Sequence, residues 1–336
     1  MHQIAFIGFR HSHILGLYEF VQKSATFTIT GACEDNAAAR AAVRQAGKVQ
    51  LTHRRATDLL DAVECDIVAI GDYYGRRGEL IIEALRRGKH VVADKPICTR
   101  LTELTEIERL ARRNRLSVFC QLDTRGSGQF LKARELVRAG TLGEIHAIHV
   151  SGQHPLLLGS RPGWYFEKEK QGGTINDIAI HAFDFIPWLT GLQFAKVVAA
   201  RTWNAFAKPH RRFKDAAQFL LQMDNGAGVV GDVSYFMPDS QGYTVPQYWR
   251  TTLYGRSGIL EIGANLPGVW LALNGETTPQ IIPVAPAQPF YYLDALTREI
   301  AGQKTGLALT THEVLAASRI ALRVQFAADQ NRSIKL

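Results

Sequence analysis

The sequence predicts an α/β protein of two domains, an N-terminal doubly wound parallel sheet and a C-terminal α+β domain with a large, mostly antiparallel sheet. Three observations support this prediction. The chain has 336 residues, which is a natural length for two domains. Strand-like and helix-like segments alternate up to residue 123, as in a parallel sheet wrapped by helices. After residue 123 this rhythm breaks and strand-like runs dominate. We therefore expect domains at 1–123 and 124–336.

Five short apolar runs in the first domain have the composition of strands buried on both faces. These predicted strands are Gln3–Gly8, Thr28–Cys33, Cys65–Ile70, His90–Ala93 and Ser117–Gln121. The predicted helices between them are His13–Lys23, Ala37–Gly47, Glu79–Arg87 and Thr102–Asn114. This alternation is typical of the Rossmann fold, in which ligands bind beyond the carboxyl ends of the strands. The residues just after each strand are therefore the candidates for function.

The first predicted strand ends in the turn Gly8-Phe9-Arg10-His11-Ser12-His13. A dinucleotide-binding fingerprint reads G-x-G-x-x-G, and this turn keeps only the first glycine. Arg10 could itself pair with a phosphate, and the next helix offers an anion site at its N-terminus. We expect Gly8, Phe9, Arg10 and His11 to contact a cofactor. His11 and His13 could suggest a metal, but with no third ligand nearby in the sequence we expect none.

Polar residues follow the next strands as well. Glu34 follows the second strand, where an acid can accept hydrogen bonds from ribose hydroxyls and repels a 2′-phosphate. This position favours NAD over NADP, although a solvated turn acid is the alternative. Asp72 and Tyr73 follow the third strand, and we expect them to line the cofactor site. Gln121 ends the fifth strand and belongs to the same predicted cofactor set.

Asp94-Lys95-Pro96 follows the fourth predicted strand. A lysine ammonium at the carboxyl end of a strand is well placed to donate to a substrate oxygen. Pro96 keeps Lys95 extended and out of a helix. The alternative is a surface lysine in a turn. We expect Asp94 and Lys95 to contact the cofactor, and Lys95 to contact the substrate as well.

The second half begins with predicted helix Gln129–Ala139 and strand Glu144–Val150. One long helix, Thr174–Leu189, is then followed by six strand-like runs. These runs are Lys196–Trp203, Ala216–Met223, Val229–Phe236, Arg250–Tyr254, Ile259–Ile262 and Val269–Leu273. Two helices, about Pro289–Gly302 and His312–Asp329, close the sequence. The strand region is rich in aromatic residues, so we expect a homodimer or homotetramer formed through this sheet.

The helix Thr174–Leu189 carries a D-x-x-x-H-x-x-D pattern: Asp177, His181 and Asp184. Helical spacing places Asp177 and His181 on one face. A carboxylate beside an imidazole can form a proton acceptor that works near neutral pH. A structural polar pair is the alternative. Trp164 and Tyr165 precede this helix, and they either line a substrate pocket or pack in the core.

Composition excludes several classes of protein. Lys and Arg exceed Asp and Glu by 39 − 31 = 8, but the basic residues are dispersed, so no nucleic-acid partner is expected. The four cysteines lie in or beside apolar runs and lack C-x-x-C spacing, which indicates buried thiols in a reducing compartment. No signal peptide and no apolar run of membrane-spanning length is visible. We expect a soluble cytoplasmic protein.

These motifs together resemble the glucose-fructose oxidoreductase and inositol dehydrogenase (Gfo/Idh/MocA) family over nearly the whole chain. The resemblance rests on the turn at Gly8, the acid Glu34, and three longer motifs. The longer motifs are Gly88 to Pro96 (GKHVVADKP), Gly140 to Ile145 (GTLGEI) and Gly172 to Asp184 (GGTINDIAIHAFD). Departures from the family pattern include Arg10, His13, Asp72-Tyr73 and Arg77, and the segment Gln121–Arg125.

The resemblance implies a nicotinamide-dependent dehydrogenase that acts on a sugar, cyclitol or related polyol. It implies that Lys95 orients the reacting oxygen and stabilises its charge. His181 would be the general base, and Asp177 would hold the substrate or tune the imidazole. Two alternatives stay open. One is a non-catalytic sensor that binds a dinucleotide and a partner protein, and the other is a tightly bound NAD enzyme for redox-assisted glycoside cleavage or transhydrogenation.

Overall fold

A computed structural model describes residues 1–303 and 309–336, which form two compact units. Unit 1 comprises Met1–Gln121, Glu169–Gly172 and Tyr292–Ser318. Unit 2 comprises Leu122–Lys168, Gly173–Tyr291 and Arg319–Leu336. The predicted fold class is confirmed, because one unit holds a parallel five-stranded sheet and the other a large, mostly antiparallel sheet.

The sheet of unit 1 has five parallel strands in the order β2-β1-β3-β4-β5. The strands are β1 (His2–Ile7), β2 (Phe27–Cys33), β3 (Ile67–Ile70), β4 (His90–Ala93) and β5 (Val118–Cys120). The helices are α1 (His13–Gln22), α2 (Ala37–Ala46), α3 (Ala56–Ala62), α4 (Tyr74–Arg86) and α5 (Leu101–Asn114). The apolar residues 4–7 of β1, 67–70 of β3 and 91–93 of β4 are almost completely buried, as expected for strands covered on both faces.

Gly8, which follows β1, has a φ of +79°. A Cβ atom at this position would lie 2.8 Å from the backbone nitrogen of Asp72, the second residue after β3. Only glycine allows the chain to pass so close to the neighbouring strand end in this conformation. The turn after β1 therefore lies directly against the residues that follow β3.

Two predictions for unit 1 need correction. Helix α3 was not predicted, because it is short and its sequence has weak helical periodicity. Helix α4 begins at Tyr74 and not at Glu79. Gly75 lowers the helix propensity of this first turn, but a Cβ there would lie 2.0 Å from the carbonyl oxygen of Glu169. The close approach of the backbone at Glu169 therefore requires glycine in the first turn of α4, although glycine is unfavourable in a helix.

Unit 2 begins with α6 (Gly128–Arg138) and β6 (Ile145–Pro155), and later contains α7 (Ile180–Thr190). The following strands are β7 (Phe194–Trp203), β8 (Ala216–Met223), β9 (Gly228–Met237), β10 (Arg250–Gly255), β11 (Gly258–Gly263), β12 (Val269–Leu273) and β13 (Gln280–Ile282). The chain ends with α8 (Tyr291–Ile300), α9 (Thr311–Asp329) and β14 (Ile334–Lys335). The short strands β13 and β14 were not predicted, because two or three residues carry too little periodicity.

The sheet of unit 2 has the strand order β13-β12-β11-β10-β6-β9-β8-β7-β14. Its neighbours pair antiparallel except for β6 and β9, which are parallel. Buried and less buried residues alternate along β8, so one face of this strand packs against the core. Across the described ranges 1–303 and 309–336, no helix combines the length and the apolarity that crossing a membrane requires.

The predicted single helix Thr174–Leu189 is divided in the structure. Residues Ile175–Ala179 form a turn of π-helix, and α7 continues from Ile180. Gly173 has a φ of +98°, and a Cβ there would lie 2.2 Å from the side chain of Gln325. The Oε1 of Gln325 accepts a hydrogen bond of 3.0 Å from the N–H of Ile175. This tertiary contact stabilises the π-helical turn. Turns of this kind are frequent at functional sites.

Candidate active-site residues in the two units

Asp94, which follows β4 in unit 1, is completely buried and surrounded by hydrogen-bond donors. Its Oδ2 lies 2.8 Å from Nη2 of Arg77 and 2.5 Å from Nδ1 of His11. Its Oδ1 lies 3.1 Å from Nδ1 of His13 and accepts a 2.8 Å hydrogen bond from the N–H of Lys95. Burial acts to raise the pKa of Asp94, but Arg77, His11 and His13 together lower this pKa well below its usual range.

His11 lies on the turn after β1 and His13 is the first residue of α1, and their ring centroids are 4.3 Å apart. Burial lowers the pKa of His11 to about 4, although Asp94 acts in the opposite direction. The Nε2 of His11 lies 3.3 Å from the hydroxyl of Tyr74. Asp94 is distant in the sequence, yet it brings a third potential metal-ligating group to these two histidines.

Arg77, whose sequence position differs from the family pattern, was not among the predicted site residues. Its side chain is completely buried on α4. It donates hydrogen bonds to the backbone oxygens of Asp72 (2.7 Å), Lys95 (2.5 Å) and Pro96 (3.2 Å), in addition to its ion pair with Asp94. Arg77 thus fixes the segments after β3 and β4 to each other. Its place just beyond the third predicted strand was the available signal.

Lys95 itself is buried, with 5% of its surface exposed. Its Nζ lies 5.9 Å from the ring centroid of Tyr74, and its peptide bond to Pro96 is cis. Lys95 lies in a bend outside any helix, as expected for a residue that precedes proline. Because Arg77 holds its carbonyl oxygen and Asp94 its N–H, the backbone that carries this lysine is fixed at both ends.

Glu34, predicted to bind ribose, is buried after β2 with its carboxylate against the turn that follows β1. Its Oε2 accepts a 2.7 Å hydrogen bond from the N–H of Phe9, and its Oε1 accepts one of 2.8 Å from the N–H of Asn36. The side chain of Phe9 packs against Phe6 and Tyr18 in the core. The predicted cofactor residue Phe9 thus offers its backbone, and not its ring, to this region.

A charged network surrounds Glu34. Arg10 contacts Glu34 at 3.5 Å, Asp35 at 2.7 Å and Asp72 at 3.2 Å. Arg76 forms ion pairs with Asp35 and, at 3.0 Å, with Asp72. Burial raises the pKa of Asp72, and the two arginines oppose this effect. With three carboxylates and two guanidinium groups, the ionised network carries one net negative charge.

The remaining predicted cofactor residues are Tyr73 and Gln121. The ring of Tyr73 lies below the guanidinium of Arg10 at 4.9 Å and near the Nζ of Lys170 at 5.1 Å. Gln121 is buried after β5, and its Nε2 has no hydrogen-bond partner among residues 1–303 and 309–336. A buried amide N–H₂ without a partner is unfavourable in the ligand-free protein. It suits a site where a ligand such as a dinucleotide supplies the acceptor.

In unit 2, Asp177 lies in the π-helical turn and is buried. Its Oδ2 accepts a hydrogen bond from the hydroxyl of Tyr235 on β9. Burial and the neighbouring Asp177 raise the pKa of Tyr235 well above its usual range, so this hydroxyl keeps its proton. The guanidinium of Arg161 lies 4.9 Å from the ring centroid of Tyr235 and 4.7 Å from that of Tyr165.

His181, on the first turn of α7, is buried, with 7% of its surface exposed. Its Nδ1 lies 3.2 Å from Oγ1 of Thr124, and its ring meets the ring of Trp249 edge-on at 5.5 Å. These contacts orient the imidazole from two sides. Asp184, one turn further on, forms a buried bidentate ion pair with Arg125 at 2.5 and 2.8 Å.

Trp164 and Tyr165, two of the predicted substrate residues, lie in a short helical turn of residues Gly163–Phe166. Their rings stack with centroids 4.1 Å apart, and both residues are buried. Tyr165 also lies against Arg161. Unit 2 therefore brings Tyr165, Arg161, Tyr235 and Asp177 into one continuous chain of contacts.

Comparison with known proteins decides the family. Residues 3–122 match the model of an oxidoreductase family with an NAD-binding Rossmann fold, named GFO_IDH_MocA. Residues 130–261 match the model of the GFO/IDH/MocA C-terminal domain. The chain belongs to the GFO/IDH/MocA family. The resemblance inferred from the motifs is thus confirmed, and the chain belongs to a family of oxidoreductases.

Individual GFO/IDH/MocA relatives are distant. An uncharacterized oxidoreductase of Synechocystis is 30% identical over 239 residues, which cover 66% of this chain and 61% of that protein. Inositol 2-dehydrogenase 2 of Saccharopolyspora erythraea is 25% identical over 255 residues, which cover 74% and 69% of the two chains. A solved structure from Thermotoga maritima shares 25% identity with a TM-score of 0.86, covering 99% of this chain and all of that one. The fold thus extends over the whole chain, whereas the Synechocystis alignment leaves more than a third of that relative uncovered.

Proposed function

We propose that this protein is an NAD-dependent dehydrogenase acting on a hydroxyl carbon of a sugar, cyclitol or related polyol. Its membership of an oxidoreductase family and the inositol dehydrogenases among its relatives support this substrate class. The observation that carries the proposal is that both proposed chemical groups are buried and oriented. Lys95 is fixed through its backbone by Arg77 and Asp94, and the imidazole of His181 is held by Thr124.

In this proposal, Lys95 donates a hydrogen bond to the reacting hydroxyl oxygen and stabilises the negative charge that develops there. His181 accepts the hydroxyl proton at Nε2, since Nδ1 is engaged by Thr124. Asp177 holds a second substrate hydroxyl or tunes the imidazole, and Tyr235 keeps its carboxylate oriented. Trp164 and Tyr165 contribute apolar surface for the substrate. Bound NAD would supply the acceptor for the hydride.

The cofactor would be held by residues that follow the strands of unit 1: Gly8, Phe9, Arg10, His11, Glu34, Asp72, Tyr73, Asp94, Lys95 and Gln121. The net negative charge of the network around Glu34 disfavours a 2′-phosphate, which supports NAD over NADP. Replacing the partly exposed acid, Asp35→Asn, should improve NADP affinity by about tenfold, equal to about 1.4 kcal/mol. Fluorescence titrations with NADH and NADPH check this. Tighter binding of NADPH to the unaltered protein would contradict the preference.

Two substitutions test the proposed reaction. His181→Ala should lower kcat by about 10²- to 10⁴-fold, because it removes the general base. Lys95→Ala should lower kcat/KM by a similar factor, because the developing charge loses its partner. NADH production is followed with a panel of cyclitols, sugars and hydroxy acids. NADH binding to the His181 variant should remain unchanged.

Matched controls are available on the surface. His146 and Lys48 have more than half of their side-chain surface exposed, so His146→Ala and Lys48→Ala should retain full turnover. Full activity in both active-site variants would contradict the proposal. Tight NAD binding without turnover of any compound would favour the sensor. Turnover without net change in NADH would instead favour transhydrogenation or redox-assisted glycoside cleavage.

We also propose that the chain forms a homodimer or homotetramer through the sheet of unit 2. The neighbouring strands β7, β8 and β9 expose Val198, Leu220 and Val230, each to at least 40%. Leu220 and Val230 are direct cross-strand partners and thus share one face. An exposed apolar face of this kind suits a self-complementary contact. Light scattering of the purified protein checks this, and a monomer at micromolar concentration would contradict it.

A further inference from the structure

We propose that His11, His13 and Asp94 form a binding site for a divalent transition-metal ion of the zinc class in the cofactor-free protein. Their potential ligand atoms all lie within 4.8 Å of one another. The Nδ1 atoms of His11 and His13 lie 2.5 and 3.1 Å from different oxygens of the same carboxylate. One ion bound between these atoms could therefore contact all three side chains.

The chemistry of the three groups selects the class of ion. Two imidazoles and one carboxylate suit Zn²⁺ and its neighbours in the first transition row, whereas Mg²⁺ and Ca²⁺ prefer oxygen ligands alone. Three protein ligands leave at least one coordination position for water or another ligand. The side chain of His13 is 50% exposed, so an ion can reach the site from solvent.

Residues behind the three ligands hold them in place, as is usual at metal sites. The hydroxyl of Tyr74 lies 3.3 Å from Nε2 of His11, and it can accept the N–H of this nitrogen when Nδ1 carries the ion. Arg77 and the N–H of Lys95 each donate to one oxygen of Asp94. A carboxylate has about four lone-pair positions, so both oxygens keep capacity for a metal bond.

The positive charge of Arg77 lies 2.8 Å from Oδ2 of Asp94 and opposes a cation. We therefore expect weaker binding than at a structural zinc site with four protein ligands. The ion would also occupy the turn after β1. If the proposed function is correct, zinc and NAD use His11 and Asp94 in common, so zinc should weaken NAD binding. This second consequence rests on the proposed function, whereas metal binding itself does not.

Calorimetric titration of the tag-free, chelator-treated full chain with ZnCl₂ tests the site. We expect saturable binding of one Zn²⁺ per chain and no saturable binding of Mg²⁺. His13→Ala, at a position where half of the side-chain surface is exposed, should weaken zinc binding by at least about tenfold. Tyr74→Phe should weaken it by about 10-fold, because His11 loses its orienting partner. Co²⁺ should give visible absorption bands that disappear in the His13 variant.

His146→Ala removes an exposed imidazole from unit 2 and should leave zinc binding unchanged. The proposal is overturned if no saturable 1:1 binding is found, or if His13→Ala binds zinc as tightly as His146→Ala does. Zinc binding that leaves NAD affinity unaltered would contradict only the shared use of His11 and Asp94. The metal test needs no substrate, so its result is distinguishable from a failure of the proposed reaction.

Discussion

Both units bury a carboxylate at the centre of their candidate residues, but they stabilise it in opposite ways. Asp94 in unit 1 lies against a guanidinium and two imidazoles. Asp177 in unit 2 accepts a hydrogen bond from the neutral hydroxyl of Tyr235. The guanidinium of Arg161 lies over the rings of Tyr165 and Tyr235, and the charge of Asp177 is one of the causes that raise the pKa of Arg161.

The difference indicates two different roles for a buried acid. The donors around Asp94 lower its pKa so far that it stays ionised, and the same contacts fix Lys95 and the turn after β1. Asp94 thus acts as an anchor that joins three strand ends. Asp177 is buried in an irregular helical turn, where the neutral hydroxyl of Tyr235 is a hydrogen-bond donor to its carboxylate. That environment suits a group that contacts a substrate.

The largest loss of stability is expected when Arg77, the ion-pair partner of Asp94 in unit 1, is replaced. Arg77→Met should lower the free energy of unfolding by about 3–5 kcal/mol, because Asp94 would remain buried without its guanidinium. Arg77→Lys keeps the charge but loses several hydrogen bonds, and should be intermediate. Urea denaturation of the two variants measures both effects.

Arg86→Met is the matched control for this prediction. Arg86 lies on the same helix, but its side chain is 57% exposed and its ion pair with Glu106 spans 3.3 Å. This substitution should cost less than about 1 kcal/mol. If Arg77→Met and Arg86→Met are equally stable, Asp94 is not anchored by Arg77 and the comparison between the two carboxylates fails.

A smaller effect is expected in unit 2. Tyr235→Phe removes the hydrogen bond to Asp177 with little change in volume and should cost about 1.5–3 kcal/mol. It should also lower kcat, because the carboxylate loses its orienting donor. Tyr254→Phe is the control, since Tyr254 contacts His149 through its ring at 4.9 Å. A Tyr235 variant as stable and active as the Tyr254 variant would show that Asp177 does not depend on this donor.

The smallest change in stability is expected at Gln121, and there the substitution should stabilise the protein. Gln121→Leu removes a buried amide N–H₂ group without a partner among the described residues, so it should stabilise the ligand-free protein by about 1 kcal/mol. The same change should weaken NADH binding, since a proposed donor is lost. Thermal melting and fluorescence titration measure the two effects. A less stable variant that binds NADH normally would mean that Gln121 serves the fold and not a ligand.

Local patterns in the sequence were sufficient to predict the fold class. Buried parallel strands are continuous apolar runs, and helices repeat with a period of 3.6 residues, so both can be recognised without tertiary information. The positions of Glu34, Asp94 and Lys95 followed from the rule that ligands bind beyond strand ends. The D-x-x-x-H-x-x-D motif likewise indicated Asp177 and His181 as candidate residues.

The partners of these residues could be found only in the tertiary structure. Asp94 joins His11 and His13 across 81 or more positions of sequence, and Tyr235 meets Asp177 across 58. Gln325 fixes the π-helical turn from 150 positions away. Local periodicity carries no information about such contacts, because they depend on which strand ends and helix faces the sheet topology brings together. The sequence by itself therefore determined the fold class and the candidate groups, whereas only the folded chain decided their charge, orientation and ligand-binding capacity.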